Sequence, residues 1–384
     1  MKAFIEKFKN HYGVVPTACA QAPGRLEILG NHTDYNEGVV LSCAVEQTTK
    51  FALVPVPGTV CRLVDFRSGS PMEFDLEDMD APPAKDGGKY VKGMIKQLMA
   101  RGMKPTAFNG AIESSVPLSA GMSSSAALEV SAGLALMKAF DFTLSPAETA
   151  RAGQGVENEY LGLKTGLLDQ FSSVFGQKDA MILSDFRRVE VLRTVPLPEG
   201  YAIVVINSMK KHNLVDSEYN VRRQDCEAAA EIMCQIVPDA KTLRDISFEQ
   251  LTAARDRMEK RVYLRALHVV GECTRVFEGV RLLEKGDVAG FGKLWFESHE
   301  SSRVNFENST PELDYLVELA QTVPGCLGAR LSGGGFGGIT IHLVKKEAAE
   351  EYARRVTTAY KLRTGIEAQY IICAIGKGAE IYNF

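Results

Sequence analysis

The chain has 384 residues, 45% hydrophobic and 24% charged, with a net charge of -4, which describes a globular protein too long for one core and therefore expected to form two domains. That balance gives no reason to expect a nucleic acid or an anionic membrane surface as partner, and no apolar run approaches the about 18 residues of a membrane span. Eight cysteines without a C-x-x-C pair point away from a disulfide framework or a thiolate zinc site and toward the reducing cytoplasm.

From the amino terminus, Phe4, Ile5 and Phe8 mark a short amphipathic helix within residues 1–15, and the charges at Lys2, Glu6, Lys7 and Lys9 interrupt the apolar run that a secretory leader needs. Residues 22–38 read as a strand entering a dense polar loop, where Arg25, His32 and Asp34 cluster between glycines; such a cluster makes a poor core and a plausible site. Three strand candidates follow over 39–66, punctuated by Pro55, Pro57 and Gly58. Residues 75–88, acidic and then rich in Pro and Gly, read as a surface loop. Val91, Met94, Ile95 and Leu98 share one face of a helix over 90–100, and alternation predicts a strand over 107–116.

That strand delivers the chain into Pro117-Leu118-Ser119-Ala120-Gly121-Met122-Ser123-Ser124-Ser125-Ala126, ahead of a helix with Ala127, Val130, Leu134 and Met137 on its apolar face. A loop of small residues at a helix N-terminus lets phosphate oxygens reach unpaired backbone N–H groups at the positive end of the helix dipole. The same residues would equally serve as an ordinary Ser-rich turn capping a helix. No Lys follows the glycine, so this is not the lysine-bearing P-loop, and neutralisation of phosphate must come from a metal ion and residues elsewhere.

A helix over 146–162 ends near Gly162, and strands follow near 181–183 and 201–206; a compositional shift over 188–198 puts a boundary between domains 1–195 and 196–384. The second half is helix-rich, with Cys226, Ala230, Met233 and Val237 on a face that Pro238 ends. The chain closes with a Gly-rich loop at 332–338, a strand at 339–344, a helix near 347–362 and a strand at 370–375. The irregular mixture of strands and helices argues for an α+β fold. His212, His268, His299 and His342 lack a ligand spacing and read as structural.

Together the polar loop at 25–38, the Gly/Ser loop at 117–126 and the Gly-rich loop at 332–338 resemble, in order and separation, the GHMP kinase superfamily. Gly24-Arg25 through His32-Thr33-Asp34-Tyr35-Asn36 is similar to the galactokinase signature, and Gly166-Leu167-Leu168-Asp169-Gln170-Phe171 to the turn that carries the catalytic aspartate in those kinases. Ser217-Glu218-Tyr219, Val221-Arg222-Arg223, Glu297-Ser298-His299 and Pro311-Glu312-Leu313-Asp314 extend the likeness over nearly the whole chain. The resemblance implies a two-domain GHMP kinase architecture, the N-terminal domain like ribosomal S5 domain 2 and the C-terminal one a ferredoxin-like α/β sandwich, with the active site in the cleft between them. It also implies ATP-dependent phosphorylation of the anomeric hydroxyl of galactose or of a relative such as galacturonate, N-acetylgalactosamine or arabinose. ATP and Mg2+ would be the cofactors of a cytoplasmic enzyme, monomeric or a weak homo-oligomer. Some relatives are sugar sensors inactivated by a deletion in the Ser-rich loop; Ser123 to Ala127 are undeleted here, which favours catalysis.

Carried over by position, Asp169 becomes the base that takes the proton of the sugar hydroxyl, and Arg25 the guanidinium that favours the ionised carboxylate and faces developing phosphoryl charge. Read locally, Asp169 is a helix cap and Arg25 a surface ion pair. Asn31, His32, Asp34, Gly166 and Tyr219 become the sugar contacts. Pro117, Ser119, Ala120, Gly121, Met122, Ser123, Ser124, Ser125, Ala126 and Tyr90 become the nucleotide contacts. Ser125 and Glu157 become the magnesium ligands, one hydroxyl and one carboxylate beside the phosphates, although Ser124 would fit as well as Ser125 and Glu157 also suits a solvated helix face. Gly333, Gly334, Gly335, Phe336 and Gly337 would press backbone toward the phosphate and the sugar, or simply form a tight turn with Phe336 as anchor.

Three positions depart from that pattern. Asn31 stands where galactokinases usually carry Glu, which suggests that an uncharged amide admits a sugar altered at C6, such as galacturonate. Glu27 stands where Asn is commoner. Gly87 stands where many of these kinases have Trp, and loss of a ring stacked on adenine would broaden base selectivity.

Overall fold

The computed structural model describes residues 1–81, 87–117, 121–211 and 215–383. Ser119, Ala120, His212 and residues 82–86 of the loop predicted at 75–88 lie outside them.

The first half is built on a sheet of β1 (Ala18–Leu29), β2 (Val39–Pro55), β3 (Val60–Asp65), β4 (Pro71–Asp75), β5 (Phe108–Ser114), β6 (Ala180–Asp185) and β7 (Glu190–Pro196). β2 is the organising element. At 17 residues it pairs with β1 along its length, with β5 over Thr49–Pro55 and with β6 over Val39–Ser42, so one strand spans two neighbours on the same side. The three strands expected over 39–66 are thus one long strand and β3. Pro55 ends the pairing with β5, while Val39 to Val45 is an unbroken buried run that no residue interrupts.

α1 (Lys2–Tyr12) buries Phe4 and Phe8 against the sheet, as the sequence pattern indicates. α2 (Gly88–Ala100), α3 (Ser124–Ala139), α4 (Pro146–Gly155) and α5 (Leu168–Phe175) cover the first sheet, with α3 packed directly on β1 and β2. α3 is buried nearly all round, which is why its sequence has little amphipathic contrast. The helix expected to run to 162 ends at Gly155, and a single wide turn, Val156–Tyr160, follows. Such π turns recur at functional sites because they re-aim one side chain; here that segment carries Glu157.

The second sheet, in the order β11-β8-β10-β9, consists of β8 (Tyr201–Lys211), β9 (Cys326–Ser332), β10 (Gly337–Lys345) and β11 (Gln369–Cys373). Alternation along β8 divides its two faces. Ala202, Val204 and Ile206 pack with Leu316, Tyr352 and Tyr360, whereas Ile203 and Val205 join a core shared with Leu26, Ile28 and Trp295. Those outer partners belong to helices that follow α6 (Val215–Ile236), α7 (Phe248–Ala253), α8 (Lys260–Glu284) and α9 (Val288–Ser301), namely α10 (Pro311–Thr322) and α11 (Ala349–Thr364). A final strand unseen in the sequence, β12 (Glu380–Tyr382), returns to the first sheet beside β1. Three residues are too few to carry a period. The two sheets and their helices make the expected α+β architecture.

Candidate active site

Two register shifts in the β1–β2 ladder, one between Pro23 and Arg25 and one between Glu27 and Leu29, flank the segment from Arg25 to Glu27. Bulges of this kind turn side chains out of the regular alternation. The Arg25 guanidinium is almost fully buried and donates from Nε to Asp169 Oδ1 at 2.9 Å, with Nη2 on the same oxygen at 2.6 Å. Its Nη1 donates to the Gly121 carbonyl at 2.6 Å. The Ser123 hydroxyl donates to Asp169 Oδ2, so both carboxylate oxygens are held from opposite sides at the start of α5. Ser123 reaches it by taking a left-handed conformation, φ 57° and ψ 53°, immediately before α3.

Asp169 and Arg25 open onto a cavity of about 210 Å³ that is also lined by Glu27, Asn31, His32, Asp34, Thr165, Gly166, Tyr219, Gly333 and Gly334. Asp34 accepts from the backbone N–H of Tyr35 at 2.9 Å and of Leu168 at 3.1 Å. Burial, aided by the nearby charge of Asp169, pushes the Asp34 carboxyl up. A side chain at Gly166 would place its Cβ 1.7 Å from Asp34 Oδ2, so glycine is the residue that lets this carboxylate approach the loop before α5. The Tyr219 hydroxyl is hydrogen-bonded by the Gly166 backbone, and its ring lies 5.0 Å from that of His32. His32 donates from Nε2 to the Gly334 carbonyl at 3.1 Å, and burial lowers its pKa to about 4, so it is neutral near pH 7.

The other departures from the signature lie side by side. Asn31 Nδ2 donates to Glu27 Oε1 at 2.9 Å and to the Gly333 carbonyl at 2.8 Å. Its Oδ1 accepts from Asn308 Nδ2 at 3.0 Å and from the Ser302 hydroxyl at 3.5 Å. Glu27 Oε1 also accepts from Arg330 Nη2 at 2.8 Å, and both side chains are buried. Burial pushes the Glu27 carboxyl up, while Arg330 and Arg25 pull it down. Beneath this pair Glu272 of α8 takes the backbone N–H of Gly30 and of Asn31, each at 2.9 Å. Burial alone would raise the Glu272 carboxyl, but Arg275 and Arg330 hold it below the usual carboxylate range.

Ser125 Oγ donates to Glu157 Oε1 at 3.1 Å, and Thr165 Oγ1 to Glu157 Oε2 at 2.7 Å. Burial, then the charge of Asp169, pushes the Glu157 carboxyl up. Ser124 and Ser125 line a second cavity of about 420 Å³ together with Arg67, Gly87, Lys89 and Tyr90. Residues 123–125 therefore lie between two cavities: Ser123 bonds the aspartate of one while Ser124 and Ser125 face the other. Met122 and Ala126 are buried in the core, and Pro117 lines a separate apolar hollow with Met122. In the Gly-rich turn between β9 and β10, Gly333 and Gly334 reach the first cavity. Phe336 turns away, its N–H on the Asn308 carbonyl at 2.6 Å, and a Cβ at Gly335 would stand 2.2 Å from that carbonyl. That turn is thus both a tight strand connection and a cavity wall.

Sequence reasoning did not find Arg330, Glu272, Asn308 or Thr165. A charged residue inside a strand or helix carries no local mark of being fully buried; pairing across hundreds of residues supplies it. His268 and His342 are buried and bonded to protein groups, His299 bonds Asp314 and the Leu331 N–H, and among the described residues no cluster of three or more His, Cys, Asp or Glu is arranged to hold a metal. No helix among the described residues is long and apolar enough to cross a membrane.

Residues 6–55 match the galactokinase galactose-binding signature, residues 89–177 the GHMP kinase N-terminal domain and residues 280–362 the GHMP kinase C-terminal domain. The chain is 39% identical to a galactokinase of Glaesserella parasuis serovar 5 (strain SH0165), covering 98% of this chain and 97% of the relative. It is 36% identical to a galactokinase of Roseiflexus sp. (strain RS-1), covering 97% and 95%. The crystal structure of Lactococcus lactis galactokinase complexed with galactose superposes with a TM-score of 0.93 at 31% identity, covering 99% of each chain. The mevalonate kinase of Methanococcus jannaschii shares the fold, with a TM-score of 0.63 at 18% identity over 94% of this chain and 98% of that one.

Proposed function

The chain belongs to the galactokinase family of the GHMP kinases, and from that premise we infer that it transfers the γ-phosphoryl group of ATP to the anomeric hydroxyl of D-galactose, giving galactose 1-phosphate and ADP. The observation that carries the reading at atomic level is the Asp169 carboxylate, held by Arg25 and Ser123 at the wall of the 210 Å³ cavity. The sugar occupies that cavity, with Asp34, His32, Gly166 and Tyr219 around it. ATP lies along the Gly/Ser loop with its base toward the 420 Å³ cavity at Gly87 and Tyr90.

A sugar hydroxyl gains nucleophilicity when a carboxylate accepts or orients its proton. Asp169 does this, and its fixed orientation prepays the entropy of alignment. Arg25, bonded to the same carboxylate, meets the charge that spreads over the transferring phosphoryl oxygens. Because that transition state is loose, Asp169 serves chiefly to aim the hydroxyl and takes its proton late.

Ser125 and Glu157 would hold a magnesium ion. The fit rests on chemistry: a hydroxyl and a carboxylate lie 3.1 Å apart, and Glu157 is buried beside a second negative charge that a cation would offset. Magnesium needs no protein cage, since it keeps waters and takes phosphate oxygens, and when bound it neutralises the phosphate charge. The division into domains 1–195 and 196–384 belongs to the same reading, supported by the change of sheet between β7 and β8. The test is a panel of sugars with ATP and magnesium, reading ADP release and the position phosphorylated. Galactose phosphorylated at its anomeric oxygen is expected; failure to phosphorylate any sugar would overturn the reading.

A further inference from the structure

Asn31 is in the sugar-cavity wall, yet its amide has nothing left to offer a ligand. A carboxamide has two N–H donors and two acceptor lone pairs. Both donors are engaged, on Glu27 Oε1 and the Gly333 carbonyl, and the oxygen receives Asn308 and Ser302. Glu27 is the reverse case. Its Oε1 takes Asn31 and Arg330, whereas its Oε2 receives no hydrogen bond from any described residue, and Glu27 lines the same cavity. The backbone beneath it is fixed on both sides by Ser332, whose hydroxyl accepts from the Glu27 N–H at 3.1 Å and donates to the Glu27 carbonyl at 3.0 Å. On a residue that lines the cavity and is rigidly mounted, Oε2 keeps its lone pairs available to a hydroxyl placed there.

Resting on the sugar-kinase reading above, we propose that Glu27, through Oε2, accepts a hydrogen bond from a hydroxyl of the bound galactose and determines which sugars enter, while Asn31 only orients Glu27. The residue types at these two touching positions are exchanged relative to the usual signature, which carries Asn at the first and Glu at the second. The carboxylate is relocated by four residues and remains in the cavity. Glu27, Asp34 and Asp169 then face the sugar with Arg25 and Lys164 as the cavity's cations, and both Arg25 and Arg330 are already bonded to carboxylates. An anionic sugar meets three carboxylates, against which Lys164 is the one lining cation outside an ion pair among the described residues. The amide at position 31 therefore does not open the site to galacturonate.

Three measurements on the full-length enzyme decide this. Wild type is expected to turn over galacturonate at no more than about a hundredth of its kcat/KM for galactose, since like-charge juxtaposition costs several kcal/mol; comparable values overturn the proposal. Glu27→Gln is expected to raise the KM for galactose about ten- to hundredfold with a smaller change in kcat, the usual effect of losing a hydrogen bond to a charged group. One monodeoxy galactose should be a poor substrate for wild type yet show no further loss in that variant, because the missing contact is the same one. Unchanged KM, or deficits that add for every deoxy sugar, would reduce Glu27 to a partner for Arg330. If Glu27→Gln fails to fold because Arg330 loses its partner, the reciprocal exchange Glu27→Asn with Asn31→Glu keeps a carboxylate beside the cavity and is expected to restore the galactose KM to within about threefold of wild type. A double variant that does not recover sugar binding counts against the proposal. Wild-type phosphorylation of galactose is measured first, so loss of the kinase reading and loss of this proposal give different results.

Discussion

At the scale of single residues, the site depends on a few groups that are fixed before any ligand arrives. Asp169 is held through both oxygens, so replacing it by Asn should leave the sugar cavity intact and remove the charge. Turnover is expected to fall about a hundred- to ten-thousandfold, the usual contribution of a positioned base, while calorimetry still registers galactose binding; near-normal kcat would remove Asp169 from the chemistry. Gly166→Ala should act on the other kinetic parameter. Its Cβ would overlap Asp34 Oδ2, and the expected result is a galactose KM raised about tenfold or more, as displacements of an ångström commonly cost that much in aligned sites; an unchanged KM would mean that Asp34 does not touch the sugar. Asp169, Arg25, Asp34, His32 and Gly166 were legible in the sequence because they sit in short motifs. What Asn31 and Glu27 do was not, since their roles depend on Arg330, Asn308 and Ser332, about 300 residues away, and no local pattern encodes that meeting.

At the scale of elements, the sequence made the long, evenly patterned pieces plain and obscured those whose environment decides them. α2 and the helical run that became α6 follow from apolar spacing, and β5 from alternation. The wide turn at Val156–Tyr160 was hidden inside a continuous helical pattern, because a single turn of five residues is too short to show a period of its own. The start of α2 yields a prediction of its own. Gly87 precedes it in the lining of the second cavity, and among the described residues an added Cβ would meet only Leu128 at 3.7 Å and Met72 at 4.0 Å, so a side chain can be attached there. Wild type is expected to use GTP at a substantial fraction of its ATP rate. Gly87→Trp should raise the ATP-to-GTP ratio of kcat/KM by about three- to tenfold, the value of one aromatic stacking contact. A strong ATP preference in wild type would contradict this account of the pocket.

At the scale of the whole molecule, several ionisable groups are buried far from bulk water, and pH acts on them with opposite signs. His342 is bonded to Thr340 and Tyr352, and burial lowers its pKa to about 3. Unfolded, it protonates near 6.5, so its contribution to stability is complete above that value and is lost as pH falls through it. Glu27, Asp34, Glu129 and Glu157, whose carboxyls burial pushes up, change stability the other way, and the histidine is therefore read as a difference. The stability cost of His342→Asn, measured by denaturant unfolding, should shrink by about 2 kcal/mol between pH 7 and pH 5; a cost independent of pH would contradict the assignment.

The anchoring of the signature loop has a consequence for how the polypeptide can be divided. Arg330, Glu272, Asn308 and Ser332 all come from the second half, and each bonds a residue between Glu27 and Asn31. Cut between β7 and β8, either fragment would lose these bonds and expose its side of the apolar core that Leu26 and Ile28 share with Ile203, Val205 and Trp295, a large exposed patch of the kind that drives aggregation. Neither piece should be soluble by itself, whereas the two produced together in one cell should reassemble, making this enzyme a natural basis for a complementation reporter.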